Sequence, residues 1–140
     1  MPFITFHLVE NSLDDSQCES LLQQAAQLYA EVLEAPVERI RGLIQIYPPA
    51  RAMVGGKSVS AGTSGAPYFE FIVLAGRSES QIQALIKGFT DLIVEVAGVE
   101  RALVRGRCVR VDPKDWCIAG QSAAELRAAE IEERQRQQGG

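Results

Sequence analysis

Two stretches of this chain carry one pattern in the same order, and that duplication is what most limits the folds open to it. Residues 3–9, Phe-Ile-Thr-Phe-His-Leu-Val, are β-branched and aromatic, with Ile4, Phe6 and Leu8 on one face of a period-two strand. Ser12-x-x-Asp15 then reads as a helix start. Cys18, Leu21, Leu22, Ala25, Tyr29, Val32 and Leu33 follow at the three-and-four spacing of one apolar face, ending before Pro36. Ile40–Tyr47 is strand-like again, and Pro48-Pro49 closes it because proline offers no amide hydrogen to a ladder.

The order then repeats. Tyr68–Ala75 predicts a strand and Ser78-x-x-Gln81 a helix start. Ile82, Leu85, Ile86, Phe89, Ile93 and Val96 line the apolar face of that helix, and Val104–Val111 supplies the closing strand. Direct superposition matches Pro2 with Pro67 at an offset of 65 residues. Arg41-Gly42, Pro49, Gly56 and Ser58 match Arg105-Gly106, Pro113, Gly120 and Ser122 at an offset of 64, so one deletion reconciles the halves. Periodicity therefore predicts an α+β domain spanning 1–140, made of β-α-β repeats over 2–58 and 67–122. Residues 59–66 are the joint, within a Gly-, Ser- and Thr-rich stretch, Gly55–Ala66, that marks loop or hairpin. After Gly120, Ser122-Ala-Ala-Glu125 opens a peripheral helix. Residues 123–137 are dense in Glu, Arg and Gln, with a thin apolar stripe of Ala123, Leu126 and Ile131 that packs on a neighbour or frays.

Composition narrows the function classes. A formal charge of −4 and a pI near 5.0 argue against a nucleic-acid or anionic-membrane surface, so an anionic ligand must meet a local cluster of cations. No apolar run approaches the ~20 residues of a membrane span, and residues 1–20 lack a signal-peptide pattern, which reads as cytoplasmic. Cys18, Cys108 and Cys117 are odd in number, lack metal-ligand spacing and fall in apolar patterns, so they are expected to be buried reduced thiols. His7, the one histidine, builds no metal site alone and reads as a strand surface residue.

Met1-Pro2 leads directly into a strand, and Leu74-Ala-Gly-Arg77-Ser78 precedes a helix. Val104-Arg105 lies on a strand, and Trp116-x-Ile118-x-Gly120 follows it. Together these motifs resemble the tautomerase superfamily, and nearly the whole chain looks like two 4-oxalocrotonate tautomerase subunits joined head to tail. The resemblance implies a four-stranded sheet with two helices on one face, and three such chains closed into a homotrimer, which also protects sheet edges from uncontrolled pairing. It implies an isomerase of aromatic-compound degradation, moving a proton between oxygen and carbon of a small 2-hydroxydienoate or 2-oxo acid. No metal or organic cofactor is implied.

The resemblance makes Pro2 the catalytic base once Met1 is removed, because only then is its nitrogen an amine. An unperturbed α-amino group titrates at about 7.7–8.0, and apolar and cationic surroundings lower that value. Arg77 is the second catalytic residue. Trp116 is expected beside it as an apolar wall, and Arg41 or Arg105 of a neighbouring chain completes the substrate-binding set. Arginine suits this role because its planar fork grips a carboxylate bidentately and stays charged. The first repeat supplies a contrast: Ser12 stands where Arg77 would be, Ala52 stands for Trp116, and Pro67 is an internal amide, so the second site is expected to be dead. Leu74 and Ile118 occupy positions where relatives that hydrate acrylates carry an arginine and a carboxylate, which disfavours water activation. Glu34 or Glu38 keeps a decarboxylating alternative open, and a catalytically silent trimeric binding module is the rival from another class.

Overall fold

Alternation along two strands sets the sheet. The computed structural model describes residues 2–139; Met1 and Gly140 lie outside it. β1 (Phe3–Val9) buries Ile4, Phe6 and Leu8, and β5 (Tyr68–Leu74) buries Phe69, Phe71 and Val73, so each presents one apolar face. The two pair antiparallel at the sheet centre, with Ile4 opposite Phe71 and Phe6 opposite Phe69. β2 (Arg41–Tyr47) runs parallel to β1, and β6 (Arg105–Val111) runs parallel to β5, giving the order β2-β1-β5-β6. The expected four-stranded sheet of tandem β-α-β units is thus the observed one.

Between the members of each parallel pair runs a helix, α1 (Asp15–Leu33) or α2 (Glu79–Ala97). Both bury their apolar stripes against the same face: Leu21, Ala25, Tyr29 and Leu33 from α1, Ile82, Leu85, Phe89 and Ile93 from α2. Tyr29 and Phe89 meet edge to face at 5.3 Å between ring centroids. Between the helices Gly88 lets Leu28 approach, since a Cβ there would collide with that side chain.

The repeated Arg-Gly pair has a packing cause. A Cβ at Gly42 would stand 3.0 Å from Ile4 Cγ2 and 3.2 Å from Leu22 Cδ2, and one at Gly106 would run into the Phe69 ring. In both repeats the strand leaves room there for a core side chain of its neighbour.

Boundaries differ from expectation at the first helix and at the outer strands, and β5 stops one residue early, at Leu74. The first helix is capped by Asp14, whose carboxylate accepts from the Gln17 amide at 2.7 Å while the Gln17 side chain accepts from the Asp14 amide at 2.9 Å. Ser12 instead donates to the Val9 carbonyl at 2.6 Å, which takes it out of capping. Asp14-x-x-Gln17 is the counterpart of Ser78-x-x-Gln81, the box found on α2. The outer strands start one residue late, at Arg41 and Arg105, because Ile40 and Val104 close short 3₁₀ turns over Val37–Arg39 and Arg101–Leu103.

The first repeat ends in a hairpin of β3 (Met53–Val54) and β4 (Lys57–Ser58), turned through Gly55 and Gly56 at φ 62 and 80, just before the joint. A matching hairpin, β7 (Cys117–Ile118) and β8 (Gln121–Ser122), follows β6. The single C-terminal helix expected over 123–137 is two, α3 (Ala123–Leu126) and α4 (Ala128–Gly139), broken at Arg127 with φ −120 and ψ 19. Ala123 is fully buried but Leu126 is 40% exposed, so the expected stripe is not continuous. The bend turns α4 back across the sheet end onto the first repeat, where Glu130 meets Arg39.

The cysteine expectation is also corrected. Cys18 and Cys108 are half-buried and Cys117, on the outer hairpin, is exposed; all are free thiols. His7 lies on the helix-free side of β1, its Nδ1 2.6 Å from the Tyr47 hydroxyl and its ring near Tyr68. The same side exposes Leu43. Among the described residues no helix is long and apolar enough to cross a membrane.

Candidate active site

Strand direction decides which side chains meet. Because β1 and β5 are antiparallel, the start of β1 lies beside the end of β5, which brings Pro2 against Leu74 and the loop to Arg77. Pro2 is buried, and its carbonyl accepts the Arg41 amide at 3.0 Å. Pro67 repeats this bond with the Arg105 amide at 3.1 Å, at the opposite end of the sheet beside Val9 and Ser12. Removal of Met1, on which the basicity of the Pro2 nitrogen depends, falls outside the described residues.

The two ends differ sharply in chemistry. Around Pro2 is a narrow cavity of about 20 Å³ walled by Leu74, Ala35 and Ile131 on its apolar side. Arg39, Arg77, Arg127 and Arg134 face it with one carboxylate, Glu130. It adjoins an outer cleft of about 770 Å³ that shares Arg39, Arg77, Glu130 and Arg134. Around Pro67 is an open cavity of about 590 Å³ lined by Val9, Ser12 and Gly65, and among the described residues no lysine or arginine lines it.

Arg77 is held by the end of α1: its Nη1 donates to the Leu33 carbonyl at 2.8 Å, one of the unpaired carbonyls at the negative end of a helix dipole. The Gln81 side chain donates to the Val32 carbonyl at 3.1 Å, fastening α2 to the same helix end. Burial pushes the Arg77 pKa down to about 10, and nearby Arg134 adds to the shift, while Glu130, Glu34 and Tyr29 oppose it. The group stays charged near pH 7. Burial lowers Arg134 in the same way.

Arg39 and Glu130 form a two-pronged ion pair, Nη1 to Oε2 and Nη2 to Oε1, both 2.9 Å. The Arg39 hydrogen bonds hold the Glu130 carboxyl below the usual range, helped by Arg127 and Arg134. Arg127 Nε is buried with no hydrogen-bond partner among the described residues. Tyr29 props the floor, its hydroxyl donating to the Ile72 carbonyl across the β1–β5 pair, and burial pushes its phenol far above the usual range.

Of the residues singled out from sequence, the structure brings Pro2 and Arg77 to one cavity. Trp116 is not with them. It follows the short 3₁₀ turn Pro113–Asp115 after the edge strand β6, directly before the β7–β8 hairpin, and lines a separate shallow cavity of about 200 Å³ with Lys114 and Gln121. Arg41 makes no side-chain hydrogen bond among the described residues, while Arg105, at the Pro67 end, donates to the Ala102 and Val104 carbonyls. Glu34 lines the outer cleft with Arg77, and Glu38 lines neither space. Arg39, Arg127, Glu130 and Arg134 escaped the sequence reading, although Arg127, Glu130 and Arg134 follow the spacing of one helical face.

The cluster can hold a carboxylate against an apolar wall beside a proline nitrogen. Residues 2–62 match the family model described as tautomerase enzyme. A 2-hydroxymuconate tautomerase of Comamonas testosteroni is 42% identical over 60 residues, covering 43% of this chain and 95% of that relative. The chain belongs to the tautomerase family. Among solved structures, this tautomerase-family chain is similar to a native fused 4-OT at 25% identity and TM-score 0.83, covering 89% of this chain and 98% of that one. A fused 4-OT described as a wild-type asymmetric trimer matches over the same shares at 25% identity and TM-score 0.80.

Proposed function

We propose that this protein is a tautomerase that moves a proton between oxygen and carbon of small 2-hydroxydienoates or 2-oxo acids, with the Pro2 amine as general base. The observation that carries the reading is the contrast between the two sheet ends: Pro2 shares a buried, arginine-walled cavity with Arg77, while Pro67 faces Ser12. In the proposed cycle Arg77 grips the substrate carboxylate, and Pro2 takes the enol hydroxyl proton. Negative charge spreads from that oxygen along the conjugated chain, where guanidinium groups stabilise it. The prolinium then returns the proton to carbon, which leaves the amine as it began. Leu74 and Ile131 serve as the apolar wall in this reading, the part expected of Trp116.

Assembly of three chains belongs to the same proposal. The helix-free sheet face, with Leu43 58% exposed, suits burial against further copies, and a fused 4-OT relative is a trimer. A neighbour's Arg41 or Arg105 would then complete the carboxylate site. The test is ultraviolet monitoring of 2-hydroxymuconate and phenylenolpyruvate ketonisation by wild type and Pro2→Ala, with intact mass to confirm loss of Met1. Turnover by the wild type alone supports the base assignment. Equal rates, or inertness of a wild type that has lost Met1, would reject it.

A further inference from the structure

We propose that α4 is a displaceable lid on the Pro2 cavity, in which Glu130 holds the place of a ligand carboxylate and Arg127 and Arg134 wait to bind the incoming acid. This rests on reading that cavity as the active site. The volume of about 20 Å³ exceeds the ~10–15 Å³ that one water needs but leaves no room for a small organic acid, so none fits beside Pro2 while α4 lies where it does.

The contact that closes the site has the geometry a ligand would use. Both Glu130 oxygens accept from both terminal nitrogens of Arg39 at 2.9 Å, the fork-to-fork pairing by which arginine recognises free carboxylates. Four guanidinium groups surround this one carboxylate, so the cluster has capacity for further negative charge. Arg127 Nε gives that capacity a direction, since it is buried, has no partner within the described residues, and belongs to a residue lining the Pro2 cavity. An acid oxygen would satisfy it.

Displacement is cheap for structural reasons. The Glu130 side chain is 45% exposed, which weakens an ion pair through solvent screening. α4 buries no residue fully, and Ile131 is its one aliphatic contact with the cavity. The outer cleft of about 770 Å³, which already contains Glu130, gives the carboxylate somewhere to go.

The test is calorimetric titration of the full chain with succinate as the probe acid, comparing wild type, Glu130→Gln, Arg127→Gln and the same-helix control Glu133→Gln, each checked by circular dichroism. Loss of the internal competitor should tighten succinate binding about five-fold in Glu130→Gln, the ratio for one partly exposed ion pair. Arg127→Gln should loosen it about ten-fold, and Glu133→Gln should match wild type. Succinate should also raise amide exchange across residues 128–139 in the wild type. A folded Glu130→Gln that binds succinate equally or more weakly overturns the lid, as does unchanged exchange across α4. Calorimetry needs no turnover. Glu130-dependent binding by a chain inert toward both enols would keep the lid and remove the tautomerase reading, and Pro2-dependent turnover with Glu130 indifferent would do the reverse.

Discussion

Arg77→Ala separates a working guanidinium from a structural one. In the resting chain Arg77 makes one hydrogen bond, to the Leu33 carbonyl, beside a cleft where water replaces it. Losing it should cost about 1 kcal/mol of stability. In the proposed turnover the same group holds a carboxylate in a confined, arginine-rich cavity. A charge-assisted hydrogen bond there is worth about 1.5–3 kcal/mol, and removing a fork that makes two lowers kcat/KM by roughly 10² to 10⁴. Steady-state ketonisation of phenylenolpyruvate reads the loss directly. Arg77→Lys should recover part of it, because charge survives while the bidentate geometry does not. Ser12→Ala, the matching position in the other repeat, should change neither kcat nor KM. A drop of less than about three-fold in Arg77→Ala, or equal damage from Ser12→Ala, would refute the assignment of one live site per chain.

Gly106→Ala should destabilise the fold by about 1–3 kcal/mol, because the new methyl displaces the Phe69 ring; urea unfolding with an unchanged midpoint would contradict that packing. Tyr29→Phe should cost about 1 kcal/mol through the lost bond to the Ile72 carbonyl, seen in the same unfolding assay. The Glu130 carboxyl is held below its ordinary value by Arg39, so its contribution is complete above about pH 4.3 and falls as pH drops through the lower folded value. Amide protection factors across residues 128–139 should therefore fall as pH drops below about 4.3, earlier than those of β1 and β5; simultaneous loss of protection would show that the ion pair does not hold α4.

Much of the fold is legible because each central strand fully buries one face only: Ile4, Phe6 and Leu8 alternate with half-buried neighbours, and a slip by one would take all three out of the core. The helical stripes read equally well, since both helices bury a single side. Local ambiguity caused the capping error, because Ser12 and Asp14 are both good caps and only the bond to Val9 tells them apart. Pro2 and Arg77 were reachable as parts of a recurring motif. Arg39 and Glu130 were not, because 91 residues separate them and their meeting depends on how the chain bends at Arg127. Strand direction puts Trp116 at the Pro2 end of the sheet, while its distance from Pro2 is set by the sheet order, in which β5 lies between β1 and β6.

Fusion of two repeats explains why the sheet ends could diverge. Parallel pairing makes each outer strand finish beside the inner strand of its own repeat, so β2 ends near Pro67 and β6 ends near Pro2. Whatever follows the first repeat is therefore delivered to the Pro67 end, and whatever follows the second to the Pro2 end. The joint does line the Pro67 cavity, through Thr63, Ser64 and Gly65, and the C-terminal segment lines the Pro2 cavity, through Arg127, Glu130, Ile131 and Arg134. A joint must reach the next strand, which ties its path and leaves Pro67 an amide. The C-terminal segment leads to no further strand of this sheet, so arginines and a bend at Arg127 are accommodated there without disturbing it. In an assembly of identical single repeats any such change would appear at every site; in one chain it acts on Pro2 alone.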